Sequence, residues 1–334
     1  MSITQSPALP VADGLPLPRP VPTQLSGADR LFRGGTKAVG LSTLVVLVLI
    51  GVFLLIKGYP AFRSQGVGFL TNTGFQTQPT AHGPPVFGVR IALIGTVAVA
   101  LIALVVALPI SLGSALFISE YAPAWMKSTA TALVDLLAAV PSVIYGLWGF
   151  VFLSGHMTGL ARWLSVHLSF VPLFHTTTPL YTSSQFIAGT VVGFMIVPII
   201  TSIAREVFSL APLAEREAAM ALGASRATVI RRVILPFGRG GLVGAIMLGL
   251  GRAMGETIAV AIILSLSFTN PFHILQVGGS TIASLIAIRA ESGGSLGLAA
   301  LMAAGLVLFL FTLLVNVGAS WIVNRSRSAA AVEL

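Results

Sequence analysis

Six long runs of apolar residues, separated by charged segments, constrain the fold more than any other feature of this sequence. Each run has roughly 18 or more residues, the length that an α-helix needs to cross the hydrocarbon core of a bilayer. The runs lie at 39–56, 91–116, 129–153, 186–204, 241–266 and 297–322. None shows the alternating polarity of barrel strands. The sequence therefore predicts an all-α polytopic membrane protein with six transmembrane helices.

Composition excludes a water-soluble protein. Hydrophobic residues make up 55% of the 334 residues and charged residues only 9%, against about 25% charged in soluble globular proteins. The net charge is +9, but the basic residues lie between apolar runs and form no continuous stripe, so we expect no nucleic-acid binding.

The residues needed for common catalytic chemistry are missing. There is no cysteine, which excludes disulfides and thiolate sites. The only lysines are Lys37, Lys57 and Lys127, and none follows a glycine, as the phosphate-binding GxxxxGK[ST] motif requires. We therefore expect no enzyme activity, no metal site and no ATP hydrolysis on this chain.

The distribution of lysine and arginine predicts the orientation. If the N-terminus is inside, thirteen of the nineteen lie in inner segments, five lie in outer segments, and Arg252 lies within a span. Positive residues concentrate on the cytoplasmic side of membrane proteins. Both termini are therefore predicted to be cytoplasmic, in the cell (inner) membrane.

The apolar runs also divide the chain into segments. Residues 1–38 are rich in proline and predict a disordered cytoplasmic tail. The first helix, 39–56, precedes an extracytoplasmic segment at 57–90. Residues 91–323 form a core of five helices, and 324–334 form a cytoplasmic C-terminal tail.

The inner loop at 205–240 is the most charged stretch of the chain. Leu213 to Leu222 is rich in strong helix formers. Gly223 suits the left-handed residue that ends a helix, Ser225 can cap a second helix, and Pro236 is expected to stop it. Two short helices joined by a tight turn are therefore predicted, an arrangement suited to transmitting force from a cytoplasmic partner. An ordinary charged inner loop is the alternative.

This loop resembles the EAA motif of ABC importer permeases, EAA-x3-G-x9-I-x-LP. The matching residues are Glu217, Ala218, Ala219, Gly223, Leu235 and Pro236, with Val233 where isoleucine is usual. The resemblance implies the type I permease fold and a coupling helix seated on a separate ATP-binding subunit. It assigns coupling to the EAA residues and Gly223. It also places ATP and magnesium on the partner ATPase, so no cofactor is expected on this chain.

Three further segments are similar to the phosphate-uptake permeases of that family, more to the PstC type than to the PstA type. They are Gly249–Thr257, Pro141–Gly149 and Ile118–Pro123, and the likeness covers residues 39–323. The resemblance implies an ATP-driven phosphate importer surrounded by membrane lipid. Its other parts would be a second, PstA-type permease subunit, a dimer of PstB-type ATP-binding subunits and an extracytoplasmic PstS-type phosphate-binding protein.

Arg252 and Glu256 are charged residues inside the run 241–266. A charge near the bilayer centre costs about 2.5–3.5 kcal/mol on insertion, and an exposed i,i+4 pair returns only about 0.2–0.5 kcal/mol. A guanidinium also matches phosphate geometry. We therefore assign both residues to the phosphate pathway and expect Glu256, one turn further along the helix, to neutralise Arg252. Gly251 and Gly255 are interpreted as a face for close helix packing.

Asp135 is the other charge within a predicted span. Its position in the first turns of the run 129–153 favours a structural role, because a carboxylate stabilises a helix N-terminus. A role in the pathway is the alternative.

Two other functions are open at this point. A permease of the same architecture can carry another oxyanion, such as molybdate or sulfate. An ion-coupled carrier can use Arg252 and Glu256 as a proton relay. Such a carrier would lack the EAA loop and show inverted repeats.

Overall fold

The structure is a computed structural model that describes residues 27–79, 84–268, 272–291 and 294–330. The chain divides into two units, 1–50 and 51–334. The described part of the first unit is helical, and all of its described side chains are exposed. The second unit contains the buried core.

The described residues form α-helices, short π-helical segments and one small antiparallel sheet. The α-helices are α1 (Gly27–Gln65), α2 (Gly68–Thr71), α3 (Arg90–Leu116), α4 (Ala124–Ala138), α5 (Ser142–Trp148), α6 (Ser154–His167), α7 (Gln185–Ser209), α8 (Leu213–Ala221), α9 (Arg226–Val229), α10 (Leu235–Gly255), α11 (Ile258–Ile263), α12 (Ile282–Arg289) and α13 (Gly294–Ala330). The π segments are Phe117–Tyr121, Gly149–Leu153 and Ile230–Ile234, and the strands are β1 (Phe75–Gln76) and β2 (Val86–Phe87).

Six helical stretches in the described part of the chain are long and apolar enough to cross a membrane. They are Asp29–Gln65, Arg90–Tyr121, Ser142–His167, Gln185–Ser209, Arg226–Gly255 and Gly294–Trp321. The predicted number of spans and the all-α architecture are confirmed.

The centre of the second unit is built by α3 and α7; α10 packs against both helices, and α11 packs against α7. Their shared core contains Val99 and Ala103 of α3, Ile196 and Ile200 of α7, and Val260 of α11, all buried. Small residues on both helices let them approach closely, as is typical of helix pairs in membranes: a Cβ on Gly189 of α7 would lie 2.6 Å from Ile102 Cβ of α3. This packing holds the helices that surround the candidate site.

The predicted third span has the wrong boundaries. The run 129–153 is interrupted where α4 ends at Ala138, and α5 begins just after Pro141. A proline disfavours helical conformation in the residue before it, so the apolar run breaks there despite its hydropathy. The spanning stretch is Ser142–His167 instead.

This break changes the interpretation of Asp135. The residue lies in the last turn of α4 and not in the first turns of a span, so the argument from a helix N-terminus is wrong. Its side chain is exposed, and Ser202 Oγ donates to Asp135 Oδ1 at 3.5 Å.

The predicted fifth span also has the wrong boundaries. The helix stops at Gly255, and α11 starts at Ile258 as a separate short helix. At the other end, the π segment Ile230–Ile234 connects α9 to α10, so the spanning stretch begins at Arg226. The prediction that Pro236 stops a helix is wrong. Pro236 lies in the first turn of α10, where its missing N–H is tolerated.

The two terminal segments are more helical than predicted. Because α1 begins at Gly27, residues 27–38 of the predicted disordered tail are helical, and α1 extends beyond residue 56 to Gln65. Similarly, α13 continues to Ala330, within the predicted C-terminal tail. The predictions for residues 1–26 and 331–334 lie outside the described residues.

Candidate functional site

A cavity of about 710 Å³ is bordered by α7, α10 and α13 and by the residue that follows α10. Three polar side chains line it, Arg252, Glu256 and Asn316, and the rest of its wall is apolar or glycine. Those other lining residues are Ile199, Gly244, Met247, Leu248, Gly251 and Gly255. A few convergent polar groups on an otherwise apolar wall are typical of a small-ligand site.

Arg252 lies in the last turn of α10, close to the end of the spanning stretch Arg226–Gly255 and not, as the sequence predicts, near the middle of a span. The carbonyl groups at a helix C-terminus carry partial negative charge, which stabilises a cation there. Its side chain is exposed, and no carboxylate oxygen of the described residues lies within 4.0 Å of its nitrogens. The guanidinium is therefore available to an anion entering the cavity.

Glu256 is placed differently from the prediction. The chain leaves helical conformation at Glu256 (φ −66°, ψ 123°), so this residue is not one helical turn beyond Arg252. Its Oε1 accepts the N–H of Ala259 at 3.2 Å and caps α11, and the side chain is only 8% exposed. The predicted ion pair on one helical face is wrong for this structure, although both residues line the same cavity.

Asn316 was missed by the sequence analysis. It lies on α13 and brings an amide to the cavity that holds Arg252. Its neutral side chain belongs to no charge pattern or motif. The available signal was its place as the only amide side chain in the apolar run 297–322, because polar groups within spans are costly and usually functional.

The glycines of α10 divide between two faces of the helix. A Cβ on Gly249 would lie 2.7 Å from Ile200 Cδ1, so this glycine permits close packing against α7. A Cβ on Gly251 or Gly255 would meet no described atom within 4 Å. Gly251 and Gly255 therefore pack against no helix of the described part of this chain, and they line the cavity instead.

The second candidate region is the loop that contains α8. The predicted helix is present, and Gly223 has the predicted left-handed conformation, with φ +85°. The N–H groups of Gly223 and Ala224 donate to Met220 O at 2.9 Å and Ala219 O at 3.0 Å. These two bonds form a Schellman motif, which ends the helix in a fixed direction. The predicted cap is also present, since Ser225 Oγ accepts the N–H of Thr228 at 3.3 Å.

The residues of the EAA motif face in two directions. Glu217, Ala218 and Gly223 are exposed, whereas Ala219 is half-buried against the cluster around Phe208. No residue of α8 is fully buried. The helix thus presents its glutamate on a surface that a partner can reach.

An ion pair that the sequence analysis did not predict lies beside this helix. Arg216 Nη1 donates to both carboxylate oxygens of Glu120, at 3.0 and 3.2 Å, and Nη2 donates to the backbone oxygen of Phe208. By sequence, Arg216 is only one of the basic residues of the inner loop 205–240. No spacing rule could pair it with a carboxylate 96 residues away.

Six spanning stretches, a cavity with three polar groups and an exposed loop helix define a multi-pass membrane permease. Residues 107–328 match the family described as binding-protein-dependent transport system inner membrane component, and the chain belongs to this family.

Similar proteins are known from several bacteria. The chain is 42% identical over 294 residues to the phosphate transport system permease protein PstC 2 of Mycobacterium tuberculosis, a match that covers 87% of this chain and 90% of that protein. It is 39% identical to the phosphate transport system permease protein PstC of Haemophilus influenzae, over 86% and 90% of the two chains. The predicted PstC-type resemblance is confirmed.

A solved structure supports the fold. A bacterial ABC transporter involved in the import of the acidic polysaccharide alginate matches with a TM-score of 0.52 at 17% identity. The match covers 89% of this chain and 99% of that chain. The predicted ABC importer permease fold is confirmed.

Proposed function

We propose that this chain is the transmembrane permease subunit of an ATP-driven importer of inorganic phosphate, which it moves across the membrane by alternating access. Relatives named as phosphate transport permeases support the substrate, and the family supports the mechanism. The observation that carries the proposal is Arg252, an exposed guanidinium without a carboxylate partner among the described residues, in a cavity whose wall is mostly apolar.

The three polar groups of the cavity have complementary roles in this proposal. Arg252 binds phosphate oxygens with two parallel N–H donors. The Asn316 amide supplies further donors from α13. Glu256 reduces the positive potential without pairing with Arg252, so that the site binds the anion and still releases it. At the same time a carboxylate oxygen of Glu256 can accept a hydrogen bond from a P–OH group of the phosphate.

ATP hydrolysis belongs to separate subunits in this proposal. A dimer of PstB-type ATP-binding subunits, which holds ATP and magnesium, contacts α8 through Glu217 and Ala218. The Schellman turn at Gly223 fixes the direction in which the chain leaves this contact. A PstA-type permease completes the pathway, and a PstS-type protein delivers phosphate from the extracytoplasmic side.

The orientation that this arrangement requires can be tested by labelling, since the chain has no cysteine of its own. The N-terminus, the C-terminus and the loop 205–240 are placed in the cytoplasm. A cysteine at the exposed position of Ala214, in α8, should be protected from an impermeant thiol reagent added to intact cells, and one at exposed Thr71 should react. Labelling of the cysteine at 214 from outside would contradict the coupling assignment.

Substrate and energy source can be tested together in cells that lack other phosphate transporters and express this chain with its partner subunits. We expect uptake of radiolabelled phosphate that excess sulfate or molybdate does not inhibit and that a catalytically dead ATP-binding subunit abolishes. Strong competition by molybdate or sulfate would favour a permease for another oxyanion. Uptake that survives the dead ATPase but stops when the proton gradient is dissipated would favour an ion-coupled carrier.

A further inference from the structure

Arg216 connects three separate parts of the molecule. The residue belongs to α8, its ion-pair partner Glu120 lies in the π segment Phe117–Tyr121 that follows α3, and Phe208 lies near the end of α7. The side chains of Arg216 and Glu120 are only 16% and 15% exposed. Water therefore competes less for these groups than for a surface pair.

The helix α8 has little else that attaches it to the transmembrane helices. Within α8, only Arg216 and Ala219 are half-buried, and every other residue is exposed. The two positions are three residues apart and so lie on the same helical face. Because alanine offers only a methyl group, the guanidinium is the main directional contact on that face.

The elements that receive this contact lead to the centre of the protein. The helices α3 and α7 pack along each other in the core, and α7 also contributes Ile199 to the cavity that holds Arg252. Phe208, whose carbonyl oxygen accepts the hydrogen bond from Arg216, is completely buried. Glu120 lies in a π segment, a feature that is frequent at functional sites in helices.

The geometry is poorly suited to stability alone. Arg216 Nε is buried and has no hydrogen-bond partner among the described residues, and an unsatisfied buried donor reduces stability. Apolar residues of similar volume often hold two elements together as well as a buried ion pair does. A guanidinium fork, however, fixes both distance and orientation, which apolar contacts do not.

We propose that the Arg216–Glu120 pair is the link through which a displacement of α8 reaches α3 and α7. This inference rests on the proposed function, in which the ATPase moves α8. In this role Arg216 and Glu120 are positioning residues: Glu217 and Ala218 face the ATPase, and Arg216 passes the movement inward from the opposite side of the same helix.

The test measures phosphate transported per ATP hydrolysed, with the complete transporter in proteoliposomes and all variants normalised to assembled complex. Glu120→Gln removes the charge at nearly constant shape. We expect the ATP-binding subunits to remain attached and ATP hydrolysis to continue, while phosphate transported per ATP falls about tenfold, within the roughly 5- to 150-fold range of coupling between sites. Glu215→Gln is the matched control, because it removes the same charge from an exposed neighbour on α8. It should behave as the unmodified chain.

A double-substitution cycle tests whether the two residues act together. If they form one link, Arg216→Gln combined with Glu120→Gln should reduce the ratio no further than the more severe single change. Losses that multiply would show independent effects and would overturn the proposal. Arg216→Lys keeps the charge but not the fork, so an intermediate ratio is expected. If the Glu120→Gln variant does not assemble, Arg216→Lys replaces it in the test. An unchanged ratio of phosphate transported per ATP for Arg216→Lys would then overturn the proposal.

The remaining outcomes separate this proposal from the function on which it rests. A pair that only stabilises the fold would lower the yield of assembled complex and leave phosphate per ATP unchanged, which overturns the link alone. If the unmodified chain shows no ATP-dependent phosphate transport, both the proposed function and the link are wrong.

Discussion

The loop around α8 and the cavity around Arg252 are built in opposite ways. The loop is formed by consecutive residues, and its turn and cap are hydrogen bonds between neighbours, as between Gly223 and Met220 or Thr228 and Ser225. The cavity is formed by residues far apart in the chain, since Ile199, Arg252 and Asn316 come from three different helices. A local motif can be recognised from the order of consecutive residues, whereas a cavity exists only after the helices have packed.

This difference has a functional consequence. In the proposed function, the loop determines whether the permease can be driven, and the cavity determines what it carries. If the two regions are separable, substitutions in the cavity should stop transport while the ATP-binding subunits remain attached. Substitutions that change the exposed face of α8 or the turn at Gly223 should detach those subunits while the cavity stays intact.

The largest effect is expected in the cavity, from Arg252→Ala. Losing a charge-assisted bidentate contact is worth about 1.5–3 kcal/mol, so uptake should fall by about ten- to a hundredfold or more. Insertion should be unimpaired, because removing a charge from a membrane segment lowers its cost. Radiolabelled phosphate uptake per membrane-inserted protein measures the effect. The Arg252→Lys variant should retain part of the uptake. Normal uptake by Arg252→Ala would exclude this residue from the pathway.

The matching change in the loop is Gly223→Val. A residue with a Cβ costs about 1–2 kcal/mol in left-handed conformation, and a β-branched residue is strained further there. No described atom lies within 4 Å of a Cβ at this position, so the penalty comes from the backbone and not from crowding. Recovery of the ATP-binding subunits with the purified permease should fall several-fold.

Gly223→Asn is the control for this substitution, because asparagine tolerates positive φ better than other residues. It should retain most of the attachment. Equal loss with asparagine and valine would contradict the conformational explanation.

A smaller and more selective effect should separate the two faces of α10. Gly249→Val forces a side chain against Ile200, and overpacking of this kind costs typically about 1–3 kcal/mol. Thermal stability of the purified permease should fall. Gly251→Val, two residues further along, projects into the cavity and should reduce uptake at nearly unchanged stability. A larger loss of stability for Gly251→Val than for Gly249→Val would show that the faces are assigned incorrectly.

The smallest effect is expected from Glu256→Gln. A glutamine oxygen can still accept the N–H of Ala259, so the start of α11 is preserved while the charge is lost. Since Glu256 does not pair directly with Arg252, we expect turnover to slow only a few-fold, with phosphate held more tightly at the site. An abolished uptake would instead indicate a direct role in each transport step.

The features that the sequence predicted correctly are local ones. The number of spanning helices follows from the length of apolar runs. The end of α8 at Gly223 and the start of α9 at Ser225 follow from the conformational preferences of single residues. The same local reasoning predicted that Pro236 stops a helix, which was wrong because a π segment continues the helix into it.

Hydropathy alone could not place the breaks in the third and fifth spans. It adds up the transfer free energies of side chains, and the apolar runs continue on both sides of Pro141 and Gly255. Whether the backbone stays helical there depends on other terms, such as the restriction before a proline or the capping of α11 by Glu256.

The sequence by itself determined that this is a membrane protein with six spanning helices and an inner loop of two short helices joined by a tight turn. Each of these properties depends on residues that are close together in the chain. Only the tertiary structure decided that Gly249 packs while Gly251 opens a cavity, that Asn316 lines the same cavity as Arg252, and that Arg216 pairs with Glu120. The physical reason is that such contacts join positions with no fixed spacing along the chain. Their partners are selected by how whole helices pack.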